Sequence, residues 1–159
     1  MTDQAPQIDV SDMIPVHGVL RDTLRAAQDR VSAVDAQDTA RRELIANYYD
    51  NVLSFLEVHH DGEEHIVFPR LVERCPDGEG AAVVEKLDSQ HKEALDLLAV
   101  ARSAVGTWQA GGGPSEQAAE ADALAQLHGH LVLHLDEEEA TALPFRGRQG
   151  VAQDRKSVV

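Results

Sequence analysis

Two stretches of the chain share one pattern of histidine, glutamate and proline: HHDGEEHIVFP at residues 59–69 and HLDEEEATALP at residues 134–144. Both read His-x-x-x-Glu-Glu-x-x-x-x-Pro, and the second begins 75 residues after the first. A pattern that recurs at a fixed offset indicates an internal repeat, and each copy of a repeat corresponds to one structural unit.

A single histidine lies upstream of each stretch. His17 and His91 are 74 residues apart, and each is followed seven residues later by a leucine, Leu24 or Leu98. Each half of the repeat therefore contains one histidine in a first segment and a His-x-x-x-Glu pair in a second segment. This organisation predicts a duplicated helical hairpin.

Four segments carry apolar residues at the helical spacing, and turn-forming residues separate them. The predicted helices cover residues 11 or 15 to 33, 39–74, 79–109 and 115 or 116 to 143. Ser11 or Asp12 is the predicted N-cap of the first helix, and Asp38 is that of the second. Residues 111–115 are a predicted loop, and Pro69 and Pro144 are expected to interrupt the hydrogen-bond ladder of their helices.

Long amphipathic helices joined by short connections favour an all-α fold. We predict an antiparallel up-down-up-down four-helix bundle built from two repeated helical hairpins. The bundle is expected at residues 11–146, with an N-terminal extension at residues 1–10 and a C-terminal tail at residues 147–159.

The composition excludes several classes of function. Lys and Arg number 14 against 28 Asp and Glu, a formal charge of −14, so the chain should repel nucleic acid and anionic membranes. Its one cysteine permits neither an internal disulfide nor a multi-cysteine metal site. Residues 1–10 lack the basic and apolar regions of a secretory signal, and no stretch is long enough for a membrane span, so we expect a cytoplasmic protein.

The His-x-x-x-Glu spacing has a chemical meaning on a helix. Positions i and i+4 lie about 40° apart around the axis and about 6 Å apart along it, so both side chains can reach one metal ion. In the second helix, His59 and Glu63 coincide with an apolar stripe that should face the core, whereas His60 and Glu64 lie off it. The stripe consists of Leu44, Tyr48, Val52, Phe55, Leu56 and Ile66.

The same arithmetic selects His134 and Glu138 in the fourth helix and turns His17 and His91 inward. Four imidazoles and two carboxylates are thus expected to meet in the core. Buried carboxylates without a cationic partner are costly, and no Lys or Arg lies on these stripes. The residues therefore favour a pair of first-row metal ions, and the ligand types alone leave Fe, Zn, Cu, Ni and Mn open.

With these motifs in this order, the chain resembles the hemerythrin-like, or HHE cation-binding, domain family from His17 to Pro144. The resemblance implies a four-helix bundle that holds two non-heme iron ions joined by an oxo or hydroxo bridge. It implies bridging roles for Glu63 and Glu138. The implied terminal ligands are His17, His59, His91 and His134.

The sequence departs from the oxygen-carrying hemerythrins in two places. Those proteins have a second histidine one turn after the third-helix histidine, where this chain has Leu95, and they have His-x-x-x-x-Asp on the fourth helix. The resemblance therefore implies one iron with an open position for O₂, peroxide or NO. His130 could fill that position or contact a ligand, and His60 and Tyr48 are further candidates for such roles. We expect Tyr48 in the core.

The acidic residues beside the selected glutamates are expected to be solvated. These are Glu64, Asp136, Glu137 and Glu139.

Several functions remain open at this point. The protein could bind or respond to O₂, peroxide or NO, with an unidentified redox partner. It could instead be a diiron oxidase, an oxygenase or a peroxide-decomposing enzyme, because an open coordination position permits turnover. A third reading is an iron-sensing or iron-donating protein, and a purely structural bundle is the least consistent with the buried carboxylates.

Overall fold

The computed structural model describes residues 12–75 and 78–142, and every regular element in these ranges is helical. The elements are α1 (Met13–Arg25), α2 (Ala27–Ser32), α3 (Thr39–Gly62), a π-helical turn (Glu63–Val67), α4 (Phe68–Arg74), α5 (Glu79–Gly111) and α6 (Pro114–Thr141). Only Ala26 separates α1 from α2, and the π-helical turn joins α3 to α4, so these elements form four helical arms. The all-α prediction is confirmed for these ranges. The extension at residues 1–10 and the tail at residues 147–159 lie outside them.

Helix α6 is the centre of the bundle. It contacts α1, α2 and α5, and α5 in turn contacts α3 and α4. Four leucines of α6 are buried, and they pack with Trp108 of α5 and Tyr49 of α3 in one apolar cluster. These leucines are Leu124, Leu127, Leu131 and Leu135. Among the helices described, none combines the length and the apolar character that a membrane span requires.

The helix ends follow local chemistry. Asp38 caps α3 as predicted, because its side chain accepts a hydrogen bond of 2.9 Å from the Arg41 backbone N–H. Asp12 precedes α1 without such a bond, and Ser11 lies outside the described residues. The predicted loop at residues 111–115 is shorter than expected, since α5 ends at a left-handed Gly112 (φ 66°) and α6 begins at Pro114.

The buried face of α3 differs from the predicted one by one residue. The apolar positions chosen from the sequence are largely exposed, and the adjacent positions are buried instead. Leu44, Tyr48, Phe55 and Ile66 are between 40% and 58% exposed. The buried face consists of Ile45, Ala46, Tyr49, Leu53, Leu56 and His60. The prediction that Tyr48 lies in the core is therefore wrong.

The π-helical turn has a local cause in Pro69. Proline has no N–H to donate, and its ring collides with the carbonyl four residues back, which here belongs to His65. The chain widens before the proline, and the Phe68 N–H bonds to the Glu63 carbonyl five residues back. Glu63 and Phe68 consequently both face the interior, each with 3% of its surface exposed. The equivalent Pro144 lies outside the described residues.

Far along α6 from the repeated motif, Glu120 is fully buried, and neither carboxyl oxygen has a hydrogen-bond partner among the described residues. Burial raises the pKa of Glu120 to about 7. The folded chain therefore retains a proton on this carboxyl at pH values where the unfolded chain releases it.

We expect Glu120 to make the fold less stable as the pH rises. Its contribution is most favourable below the ordinary pKa of 4.5 and declines as the pH rises to about 7. Glu120→Gln should remove about 3 kcal/mol of the difference in unfolding free energy between pH 5 and pH 8. Urea denaturation at fixed metal content measures this, with the exposed Asp122→Asn as control. Equal pH dependence in Glu120→Gln and wild type would contradict the assignment.

Candidate metal centre

The structure brings all six residues of the predicted ligand set into one cluster. His17 comes from α1, His59 and Glu63 come from the end of α3 and the start of the π-helical turn, His91 comes from α5, and His134 and Glu138 come from α6. All are buried except His59, whose side chain is 11% exposed. Each of the four helical arms thus contributes at least one donor.

Glu63 lies between histidines from both halves of the chain. Its Oε1 is 3.0 Å from His59 Nε2 and 3.7 Å from His17 Nε2, and its Oε2 is 3.4 Å from His91 Nε2. The two carboxylate oxygens therefore face different imidazoles.

Glu138 occupies the corresponding place on α6. Its Oε2 is 3.6 Å from His17 Nε2 and 3.8 Å from His134 Nε2. Like Glu63, it lies between one histidine from the first half of the chain and one from the second.

His60 also belongs to the cluster, contrary to the predicted off-face position. Only 2% of its surface is exposed, and its ring stacks on the His91 ring with 4.1 Å between centroids. It also meets the His134 ring edge-on at 5.2 Å. His60 continues the face of α3 that is buried in the structure. The apolar residues of that face could therefore have identified it, whereas the His-x-x-x-Glu spacing could not.

The donor atoms fall into two groups that share Glu63. One consists of His17, His59 and Glu63, and the other of His60, Glu63, His91 and His134, with the donor atoms of each group within 4.8 Å of one another. Leu95, one turn after His91, is 43% exposed. A histidine at that position would point away from the cluster, and His60 stands beside His91 instead.

The hydrogen bonds at the outer edge of the cluster fix how the imidazoles are protonated. His91 Nδ1 donates to Glu64 Oε1 at 2.9 Å, and His134 Nδ1 donates to Gln90 Oε1 at 3.0 Å. In a neutral imidazole the other nitrogen is then an acceptor. His91 Nε2 and His134 Nε2 consequently point lone pairs at each other across 3.1 Å.

The interior of the cluster contains buried polar atoms that have no hydrogen-bond partner among the described residues. Eight buried nitrogen and oxygen atoms have no hydrogen-bond partner: His17 Nε2, His59 Nε2, both ring nitrogens of His60, and both carboxyl oxygens of Glu63 and of Glu138. Buried polar atoms are almost always hydrogen-bonded, so a group of this size requires an explanation.

Burial keeps these side chains from holding the charges that they would hold in water. Burial lowers the pKa of His60 to about 2 and that of His134 to about 3, so both rings are neutral and offer lone pairs. Burial and the charge of Glu63 raise the pKa of Glu138 to about 9.

The other two candidates lie outside the donor groups. His130 Nε2 donates to the Gln90 backbone carbonyl at 2.9 Å, and the Gln90 side chain bonds to the His134 ring. Gln90 therefore lies between His130 and His134. Tyr48 is 40% exposed and meets the Tyr49 ring edge-on. The structure places neither side chain among the donors.

Two carboxylates that were expected to be solvated instead bond to the cluster. Glu64 accepts the His91 bond, and Glu139 accepts a bond of 2.9 Å from His17 Nδ1. Arg21 also donates to Glu139, at 2.8 Å. The repeat contained a signal for both, because each follows one of the two central glutamates.

Comparison with known families agrees with the geometry. A sequence model described as "Hemerythrin HHE cation binding domain" matches residues 9–145. Searches among curated proteins and among solved structures found no match. Because the family match covers most of the chain and the described residues bring together its histidines and glutamates, the chain belongs to the hemerythrin HHE cation-binding domain family.

Proposed function

We propose that the protein binds two non-heme iron ions in this cluster and uses them to bind or respond to O₂ or a related small oxidant, peroxide or NO. One observation carries the metal part of the proposal: eight buried polar atoms of the cluster converge without a hydrogen-bond partner. A cation placed among these imidazole nitrogens and carboxyl oxygens would satisfy them, and first-row metals bind these ligand types.

The donor groups support a definite set of ligands. We propose that His17 and His59 hold one iron and that His91 and His134 hold the other, with Glu63 and Glu138 bridging. Membership of Glu63 in both donor groups supports its bridging role. The position of Glu138 between His17 and His134 supports the same role for that residue.

The placement of His60 makes the two positions unequal. His60 adds a third imidazole beside His91 and His134, whereas His17 and His59 stand as two. The position with fewer imidazoles would keep more coordination positions free for a small molecule, and it adjoins His59, which is the partly exposed histidine of the set. We propose that the small molecule binds at this position.

Iron itself is supported by membership of the family and by the donor chemistry. Two bound irons would supply reversible one-electron oxidation and a coordination position for O₂, peroxide or NO. The residues of this chain set the surroundings: Phe68 lies against the His91 ring at 5.2 Å between centroids, and buried leucines keep bulk water out. Such a dry setting strengthens electrostatic interactions between the donors and a bound cation.

We also propose that the four helical arms form an up-down-up-down bundle of two equivalent hairpins. The repeat of a lone histidine and a His-x-x-x-Glu pair supports two equivalent hairpins in an up-down-up-down bundle. The packing of α6 on α1 and on α5 is consistent with that arrangement. A cytoplasmic location and an unidentified redox partner are also proposed, on the sequence alone.

Glu63→Ala should retain at most one iron per chain after anaerobic reconstitution with Fe²⁺, because this carboxylate belongs to both donor groups. Elemental analysis of the purified protein gives the iron content. Glu57→Ala is the matched control on α3, since Glu57 pairs only with Arg102 at the surface and should leave two irons. In wild type, visible absorption lost on reduction should return in air. Two irons in Glu63→Ala would contradict the bridging role.

A second candidate function, decomposition of peroxide, is favoured by the partial exposure of His59 next to the position with fewer imidazoles. In that case added peroxide should release O₂ from the iron-loaded protein, and His59→Ala should abolish the release. The control is His65→Ala, because His65 is 71% exposed and hydrogen-bonds to the Asp61 carbonyl at the surface. Wild-type protein that evolves no O₂ would leave binding or sensing as the function.

Removal of the metal should lower the melting temperature. An ion present at about 100 to 1,000 times its Kd contributes about 3–4 kcal/mol to stability, which corresponds to roughly 10 °C for a chain of this size. Circular dichroism melting before and after prolonged dialysis against a chelator measures the change. An unchanged melting temperature would show that the buried cluster needs no cation, and loss of most helical signal would favour an iron-sensing role.

A further inference from the structure

We infer that Glu64 and Glu139 are positioning residues that orient His91 and His17 towards the two metal positions. The inference rests on the proposed two-metal function and extends it to residues beyond the ligand set. Neither carboxylate belongs to a donor group, and each bonds to the outer nitrogen of a buried histidine.

The two contacts have the same geometry. His91 Nδ1 is 2.9 Å from Glu64 Oε1, and His17 Nδ1 is 2.9 Å from Glu139 Oε1. Both imidazoles are fully buried, whereas the carboxylates are 33% and 26% exposed. Each carboxylate thus lies at the boundary of the core and holds the ring that enters it.

The hydrogen bond determines which nitrogen can bind a metal. A carboxylate only accepts, so the Nδ1 atom must carry the proton and the Nε2 atom keeps its lone pair. That lone pair faces Glu63 from His91 at 3.4 Å, and it faces Glu138 from His17 at 3.6 Å. A negative partner on the outer nitrogen also makes the imidazole a stronger donor to a metal.

The repeat arranges these contacts across the two halves of the chain. In each Glu-Glu pair, the first residue enters the cluster and the second residue bonds to the lone histidine of the other half. Consecutive positions on a helix point in different directions around its axis, so neighbouring glutamates can contact different histidines. Glu64 reaches from the first half to His91, and Glu139 reaches from the second half to His17.

Glu139 is itself fixed from the other side. Arg21 donates to Glu139 Oε1 at 2.8 Å and to Asp136 Oδ1 at 2.7 Å, joining α1 to α6 beside the His17 contact. The corresponding partner of His134 is the neutral amide of Gln90. His17 and His91, the lone histidines of the two halves, therefore each bond to a charged carboxylate, whereas His134 bonds to a neutral amide.

The first test uses the metal-free protein and ¹⁵N-labelled histidine. Long-range ¹⁵N–¹H correlation spectra distinguish imidazoles protonated at Nδ1 from those protonated at Nε2. His17 and His91 should carry the proton at Nδ1 in wild type. The His91 signal should lose this form in Glu64→Ala, and the His17 signal should lose it in Glu139→Ala.

The second test titrates wild type and variants with Co²⁺, followed by visible absorption. Glu64→Ala and Glu139→Ala should each raise the Kd for one of the two ions by about 10- to 100-fold. Glu64→Gln and Glu139→Gln keep an acceptor and lose the charge, so they should restore the Nδ1 form and recover most of the affinity. Asp61→Ala and Glu137→Ala are the controls, because these acidic residues pair with His65 and Lys86.

The outcomes separate this inference from the proposed function. Wild type that binds two Co²⁺ ions while both alanine variants bind them equally well would overturn the positioning roles and leave the two-metal function standing. An equal loss of affinity in the alanine and glutamine variants, with Nδ1 protonation unchanged, would also overturn orientation by these bonds. Wild type that binds no Co²⁺ and no Fe²⁺ would overturn both.

Discussion

The centre of this bundle is organised by one electrostatic constraint: two carboxyl groups and several imidazoles are buried together, and eight of their polar atoms have no hydrogen-bond partner. Each outer hydrogen bond that fixes an imidazole proton on its Nδ1 atom leaves another lone pair in the interior. Burial and mutual repulsion keep Glu138 from ionising beside Glu63, so the pair favours retention of a proton. Metal ions at the two proposed positions would satisfy these atoms in place of that proton.

The sequence predicted much of this arrangement because the informative residues are repeated. The apolar spacing predicted the helices, and the histidine and glutamate spacing predicted the six residues that the structure brings into one cluster. On α3, however, two apolar stripes lie one residue apart. The spacing from His59 favoured the wrong stripe, which placed Tyr48 inside and His60 outside. Periodicity alone could not separate the two, because helices with apolar residues on adjacent faces give both the same weight.

The remaining differences depend on contacts distant in sequence or on the backbone. Glu64 looks like one more residue of an acidic run until His91 is placed beside it by the packing of another arm. Similarly, Pro69 predicts an interruption of the ladder but not its form. The structure resolves the interruption as a π-helical turn that returns Phe68 to the interior after Glu63. Such turns occur often at functional sites, where they allow a helix to present side chains that a regular period would separate.

The burial of the donors also has a kinetic consequence. His59 is the partly exposed histidine of the set, while the donor atoms of His17, His91, His134 and both central glutamates face inward from four helical arms. An ion held among them could leave only when an arm moves aside or the His59 ring rotates outward. Its residence time would then be governed by how often the bundle opens locally rather than by the strength of the metal bonds alone. Arg21 joins α1 to α6 next to His17, and its hydrogen bonds would slow that opening.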